Sequence, residues 1–381
     1  MEFDLNEEQT MFRQMVREFA DKEIAPYAEE LDGTGEFPYE IQAKMADLGL
    51  YGLPIPEEYG GAGADFVTYS IAVEEIGRVS ASLSISMAAH TSLGSMPIYL
   101  FGTEEQKQRW LVDLAQGRKL GAFGLTEPEA GSDAGATRTT ARLAAGEWVI
   151  NGTKCFITNS GTDITSHVTI TAVTGEHGGG KEISNILIPA GTPGFDVAPS
   201  YRKMGWHNSD THELSFTDCR VPEGHLLGER GGGFKAFLKI LDCGRIGVAA
   251  LSVGLAQGCL DESVSYAKSR IQFGQPIGRN QGISFKCADM LVEVELARLA
   301  TLKAAWLADQ GRPYTREAAI AKLFASEAAM RAANSAVQIH GGYGYIEDYP
   351  VCRYFRDAKI LEIGEGTSEV QRIVLSRMLG L

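Results

Sequence analysis

"GEWVINGTKCFITNS", residues 146–160, decides how this chain is divided. Two β-prone runs flank Asn151-Gly152, and an Asn-Gly step in that setting is the strongest short-range hairpin signal. The spacing therefore predicts two strands joined by a turn at Asn151-Gly152. Working outward, "HVTITAV", "SNILIPA" and "HELSFTD" add short β-prone segments divided by glycine and proline. Residues 121–228 read as a small β domain.

The chain before it reads helical. Phe12, Met15, Val16 and Phe19 fall at i, i+3, i+4 and i+7 on one apolar stripe,. Asn6 with Gln9 resembles a capping pair, and Pro26 marks the expected stop,. "YEIQAKMADLGL", "VTYSIAVEEIGRVSASLSISMAAHTSLG" and "TEEQKQRWLVDLAQG" suggest further helices. After "LGERGGGF" the segments 232–270, 280–311 and 316–340 are rich in Ala, Leu and Glu, and Ile320, Leu323, Phe324 and Ala328 mark one face. The order α, β, α without a repeat implies an α+β fold in three domains. These are an N-terminal helical domain (1–120), a middle β-barrel-like or β-sandwich domain (121–228) and a C-terminal bundle of about four antiparallel helices (229–381),.

Composition narrows the function. The 381 residues suit two or three domains, and 44% apolar with 22% charged residues is a globular balance,. Lys plus Arg is 35 against 49 for Asp plus Glu, a formal net charge of −14, which disfavours non-specific binding to nucleic acid or anionic membranes,. The six cysteines are scattered without a CxxC, as expected in a reducing compartment,. The acidic start "MEFDLNEEQTMFRQ" is neither a signal nor a transit peptide, and no apolar run approaches a membrane span,. A cytoplasmic protein without membrane insertion is expected.

Several chemistries can be set aside. "GERGGGF" and "GGYGY" lack the βαβ frame of a dinucleotide fingerprint,. His207 and His212 have no cysteine pair beside them and would not share a helix face, so no metal site is expected,. No Gly-x-Ser-x-Gly elbow occurs,. In "GAFGLTEPEAGSDAG" (121–135), Thr126 and Ser132 offer hydroxyls, while Gly131 and Gly135 let backbone amides approach a ligand,. That turn could bind an anion or hold a ring edge, or be an ordinary polar loop. In "AKILEIGEGTSEVQR" (358–372), Glu365 sits between glycines just before a helix start. It either caps that helix or does chemistry, and the residues alone leave both open.

"GLTEPEAGSDAG", "NGTKCFITN", "LDCGRIGVAA", "SRIQFGQPIG", "QIHGGYGY" and "GEGTSEVQR" occur in that order across the chain. Together they resemble the acyl-CoA dehydrogenase family from end to end, in particular its short-chain, butyryl-type bacterial members. The resemblance implies FAD held between the β domain and the C-terminal helices, partly by a neighbouring subunit. Phe123 to Ser132 then match the flavin loop, with Leu125 and Thr126 at the ring, Gly131 in the turn and Ser132 near the pyrophosphate. Phe156, Ile157 and Thr158 match a second flavin strand, although "CFIT" alone reads as core; many relatives carry tryptophan where Phe156 stands. Arg270, Phe273 and Gln281 match positions reaching the partner's FAD, where an arginine can pair with pyrophosphate,. Arg270 could otherwise be a solvated helix end. Gln338, Gly341 and Gly342 match an adenosine-diphosphate contact, and Thr367 and Glu369 match further FAD contacts.

Glu365 matches the family's catalytic base, which takes the α proton of an acyl-CoA while the β hydrogen leaves as hydride to flavin N5. The glutamate N–H and a ribityl hydroxyl bind the thioester oxygen, and Gly364 and Gly366 let the chain come close. The helix start favours the carboxylate, whereas bound acyl chain and flavin desolvate it. Desolvation is expected to dominate once substrate binds. Some members carry the base on the helix matching "LDCGRIG", but Gly244 stands there. Asp242 and Arg245 match residues holding the pantetheine of CoA, with Ser132 nearby, or they simply pair at i, i+3,. Many straight-chain members have tyrosine where Gly364 stands, and some branched-chain members have glycine. The resemblance thus points to a short acyl chain with a branch near the thioester, unless another side chain fills the space. It also implies electron-transfer flavoprotein as acceptor and a homotetramer built as a dimer of dimers. An oxidase, an enoyl-CoA reductase and a non-catalytic flavoprotein of the same fold are the alternatives.

Overall fold

The computed structural model describes residues 4–381. The chain opens with α1 (Glu7–Phe19), α2 (Ala28–Thr34), α3 (Tyr39–Asp47), α4 (Phe66–Gly77), α5 (Ala81–Ala89), α6 (Met96–Phe101), α7 (Glu104–Gln106) and α8 (Val112–Ala115). Asn6 and Gln9 form the expected reciprocal cap of α1,. Pro26 does not end the helical path. α1 gives way to a π turn (Ala20–Ile24), and Pro26 lies in the first turn of a 3-10 segment (Ala25–Tyr27), where its missing N–H is not needed,.

The middle region is one eight-stranded sheet. Its strands are β1 (Leu120–Gly124), β2 (Thr140–Ala144), β3 (Glu147–Thr158), β4 (Thr165–His177), β5 (Gly180–Pro189), β6 (Phe195–Val197), β7 (Thr211–Pro222) and β8 (Leu226–Leu227). The path runs β6-β7-β3-β2-β4-β5-β8, and β1 adds in parallel to β4. Phe195 of β6 and Ile186 of β5 meet in one apolar core with Trp148, Ile150 and Val168, so the sheet curls around its own interior,.

The hairpin expected at Asn151-Gly152 is not there. β3 runs straight through both residues, and the turn lies at Ala145-Gly146, whose φ angles are +52° and +80°. Two left-handed residues in a two-residue loop match the twist of the flanking strands. Asn151 and Gly152 serve a bulge against β7 instead,. The Asn151 side chain accepts from Asp218 N at 2.9 Å, and a Cβ on Gly152 would meet Thr139 Oγ1 at 2.4 Å. A cross-strand partner and a close neighbour override the local turn preference.

The last third holds α9 (Gly233–Ser269), a short hairpin of β9 (Ile271–Gln272) and β10 (Gln275–Pro276), α10 (Gln281–Asp309), α11 (Thr315–His340), α12 (Pro350–Ala358) and α13 (Ser368–Met378). α4 is buried from Tyr69 to Gly77, with its glutamates Glu74 and Glu75 paired to Arg13, Arg17 and Arg298. Glycines on α9 let α4 approach closely: a Cβ on Gly254 would meet Glu74 O at 2.1 Å, and on Gly258, Arg78 O at 2.4 Å. One core joins α4 and α5 to α9, α10 and α11, so both ends of the chain share an interior while the β region has its own. Among the described residues no helix is long and apolar enough to cross a membrane, and no two cysteines are bonded.

Candidate active site

Glu365 lies in the turn between α12 and α13, at φ +51°. Left-handed backbone at a non-glycine residue costs roughly 1–3 kcal/mol and persists only where its surroundings enforce it. Here two buried donors on either side hold the next carbonyl: Lys322 Nζ of α11 donates to Gly366 O at 2.8 Å, and Gln371 Nε2 of α13 donates at 2.9 Å. The turn drives the Glu365 side chain down onto α9. A Cβ on Gly244 would sit 1.8 Å from Glu365 Oε2, so the carboxylate occupies the space that a side chain at 244 would take.

Capping belongs to another residue. Thr367 Oγ1 accepts from Val370 N at 3.2 Å and closes the α13 terminus,. Glu365 Oε2 is buried and has no hydrogen-bond partner among the described residues. Burial pushes its pKa up to about 7, against the opposing pull of Lys322 and Arg245,. Desolvation therefore dominates already in the free protein, before a substrate adds to it.

Asp242 and Arg245 do pair, Nη1 to Oδ1 at 2.8 Å, and Thr315 Oγ1 donates to the other Asp242 oxygen at 2.6 Å. Both oxygens of Asp242 are thus engaged, whereas the buried Arg245 Nε has no partner among the described residues. Gly364 adjoins open space, since a Cβ there would meet only Ile360 O at 3.5 Å.

The loop after β1 is held from behind. Lys154 Nζ donates to Leu125 O at 3.1 Å and Cys155 N to Thr126 O at 2.9 Å, so both carbonyls turn to β3 and leave the opposite edge free. Lys154 also donates to Glu127 Oε1 at 2.7 Å, and Glu127 accepts from Arg138 N at 2.6 Å and Thr139 N at 3.1 Å. Gly131 and Ser132 are exposed beyond this clasp. Phe156, at φ +61°, stands 65% exposed, a wide apolar face on the surface. The Phe123 and Ile157 side chains, by contrast, are buried, Phe123 against Phe237 and Ile157 in the β core; only their backbone remains for a ligand, and Thr158 is half-buried beside them.

Arg270, Phe273 and Gly342 line a cavity of about 610 Å³ with Tyr266, His340 and Tyr343. Phe273 projects from the β9–β10 turn, 97% exposed at φ +51°. A Cβ on Gly341 or Gly342 would touch nothing within 4 Å, so bare backbone faces outward. Gln281 and Gln338 are exposed on α10 and α11 and do not line that cavity. Thr367 and Glu369 border a second cavity of about 160 Å³, beside the buried Ser368 Oγ, which has no partner among the described residues. Exposed aromatic faces, bare glycine backbone, an arginine and an unpartnered hydroxyl fit a large planar cofactor with a phosphorylated tail.

Descriptions of acyl-CoA dehydrogenase domains match three stretches: the N-terminal domain over residues 6–118, the middle domain over 122–219 and the C-terminal domain over 231–380. The chain belongs to the acyl-CoA dehydrogenase family. It is 57% identical over 380 residues to a probable acyl-CoA dehydrogenase of Bacillus subtilis, covering 100% of both chains. It is 47% identical over 379 residues to an acryloyl-CoA reductase (NADH) of Anaerotignum propionicum, covering 99% of this chain and 95% of that one. The structure superimposes on butyryl-CoA dehydrogenase from Megasphaera elsdenii with a TM-score of 0.97 at 44% identity, over 100% of each chain. A chain from the electron transferring flavoprotein study of Acidaminococcus fermentans gives 0.96 at 47% identity, over 100% of this chain and 99% of that one. As a member, the chain is an FAD-dependent oxidoreductase that dehydrogenates acyl-CoA.

Sequence reasoning missed Lys154, Lys322 and Gln371. A signal existed for two of them. Lys154 falls on the inward alternation of Trp148, Ile150 and Gly152, and Lys322 falls four residues after Ala318 and three before Ala325 on a buried helix face. A lysine at a core position needs a buried acceptor.

Proposed function

We propose that this chain dehydrogenates a short or branched acyl-CoA between Cα and Cβ, with Glu365 removing the α proton. The observation that carries this is the buried Glu365 Oε2, unpartnered among the described residues, over Gly244, on a carboxyl whose pKa of about 7 suits proton abstraction at neutral pH,. Bound FAD supplies the two-electron acceptor for the β hydrogen, which leaves as hydride. The Glu365 N–H donates to the thioester oxygen and stabilises the enolate character that develops there. Arg245, through its free Nε, takes a polar group of the CoA arm, with Asp242 fixing the guanidinium from the other side. Open space at Gly364 supports bulk beside the reacting carbons.

Electron-transfer flavoprotein is the acceptor we infer, supported by the family and by the A. fermentans relative. A homotetramer is supported by an unpartnered apolar stripe on α10, where Phe285, Val292, Leu296, Leu299 and Trp306 are all about half exposed or more,. The projecting Phe273 hairpin supports a cofactor site completed across subunits. The acryloyl-CoA reductase relative favours a second reading, in which the same site runs toward saturation of an enoyl-CoA.

Anaerobic spectra of the purified protein with butyryl, hexanoyl, octanoyl, isobutyryl, 2-methylbutyryl and isovaleryl thioesters test the proposal. Bleaching of the yellow flavin is expected, fastest with a short or branched thioester. A flavin that stays oxidised with all six contradicts it. Re-oxidation of bleached enzyme faster by acryloyl-CoA than by electron-transfer flavoprotein would favour the reductase direction.

A further inference from the structure

We infer that Lys322 is a positioning residue for Glu365: its buried ammonium fixes the turn that carries the base and holds the carboxylate in its charged form. The inference rests on the reading of Glu365 as base. Lys322 has no exposed surface, and its Nζ donates to Gly366 O, one residue beyond Glu365. Gln371 Nε2 donates to the same oxygen, so one carbonyl receives two buried donors. A single neutral donor would satisfy it. A buried lysine costs several kcal/mol unless its charge is used, and the nearby anion is the Glu365 carboxylate, whose Oε2 has no partner among the described residues.

The groups around the base are few. Lys322 faces it from α11, Arg245 and Cys243 from α9, and Tyr69 from α4, while the charges of Glu362 and Glu369 also act on Lys322. Arg245 is already paired with Asp242, leaving Lys322 as the cation without a carboxylate bonded to it. Burial lowers Lys322 to about 8 and Glu365 opposes that, so the ammonium persists where the base must ionise. Lys322 and Gln371 thus separate two contributions: both hold the turn, and only Lys322 brings charge.

Infrared titration of the protonated carboxyl band that disappears in Glu365→Gln reads the base directly, in the flavin-loaded protein without substrate. Lys322→Met should raise its midpoint by about one unit, with flavin reduction at pH 6 about tenfold slower and the gap closing at alkaline pH. Lys322→Arg and Gln371→Leu should leave the midpoint in place, Gln371→Leu slowing reduction equally at every pH. Should Lys322→Met not accumulate as flavin-loaded protein, those two variants decide, and a midpoint moved in either overturns the inference. An unmoved carboxyl midpoint in Lys322→Met also overturns it. If Glu365→Gln still reduced flavin, the reading of the base would fail instead, and the infrared midpoints would separate the two failures.

Discussion

Glu127 in the β domain and Glu365 in the helical seam are both buried carboxylates, and each has a buried lysine close by. Burial pushes both upward, but for Glu127 the pull of Lys154 and the donors Thr137 and Arg138 N–H reverses this and leaves it at about 2. Glu365 keeps the effect of burial and stays at about 7. The difference is geometric. Lys154 Nζ bonds Glu127 directly at 2.7 Å, whereas Lys322 Nζ bonds the backbone beside Glu365. A carboxylate whose oxygens are all used is a fastener; one left with a bare oxygen in a dry groove can take a proton from something else. The β domain fastens the loop at Leu125 and Thr126, and the helical seam keeps its acid free.

Removing the acid at one site and the lysine at the other should break the comparison in opposite directions. Glu365→Gln is expected to slow anaerobic flavin bleaching by at least about a thousandfold with FAD still bound, as stopped-flow spectra would show. Lys154→Met leaves the Glu127 charge buried without its cation and should cost about 3–5 kcal/mol of stability in urea unfolding, together with weaker FAD retention. A loss under 1 kcal/mol would mean that the pair is not a fastener.

Stability against pH sharpens the contrast. The folded pKa of Glu365 is raised above its unfolded value, so its contribution is most favourable at low pH and is lost as pH rises toward 7,. Glu365→Gln should therefore match wild type below about pH 4.5 and exceed it by up to ~3 kcal/mol above pH 7. Glu127 is depressed, so its contribution is present above about pH 4.5 and is lost as pH falls toward 2,. The smallest effect is expected from Gly244→Ala. Its Cβ overlaps Glu365 Oε2 and should shift the carboxylate, slowing flavin reduction about a hundredfold,; a rate within threefold of wild type would show that the groove has room to spare.

The periodic and capping signals carried the fold well. The Asn6–Gln9 cap and the long helices α9, α10 and α11 follow from local pattern, which is why they were legible. The hairpin was not, because Asn151-Gly152 is claimed by Asp218 and Thr139, neighbours remote in sequence. The same holds at the site. Motif order pointed to Glu365, and Thr367 took the capping role that the residues alone could not assign. Phe156 and Glu365 share a left-handed backbone that no local propensity predicts,, whereas Phe273 takes it together with Gly274 in the two-residue turn of the β9–β10 hairpin,. Lys322 stayed unseen because its acceptor lies 44 residues away.

The measurement closest to the central claim is the pH dependence of anaerobic flavin reduction by a saturating acyl-CoA. A buried base whose Oε2 has no partner among the described residues predicts a rate that rises through a midpoint at or above 7, since bound substrate adds to its desolvation, and that vanishes in Glu365→Gln,. A rate already at its plateau by pH 5, or one that survives in Glu365→Gln, would contradict the account.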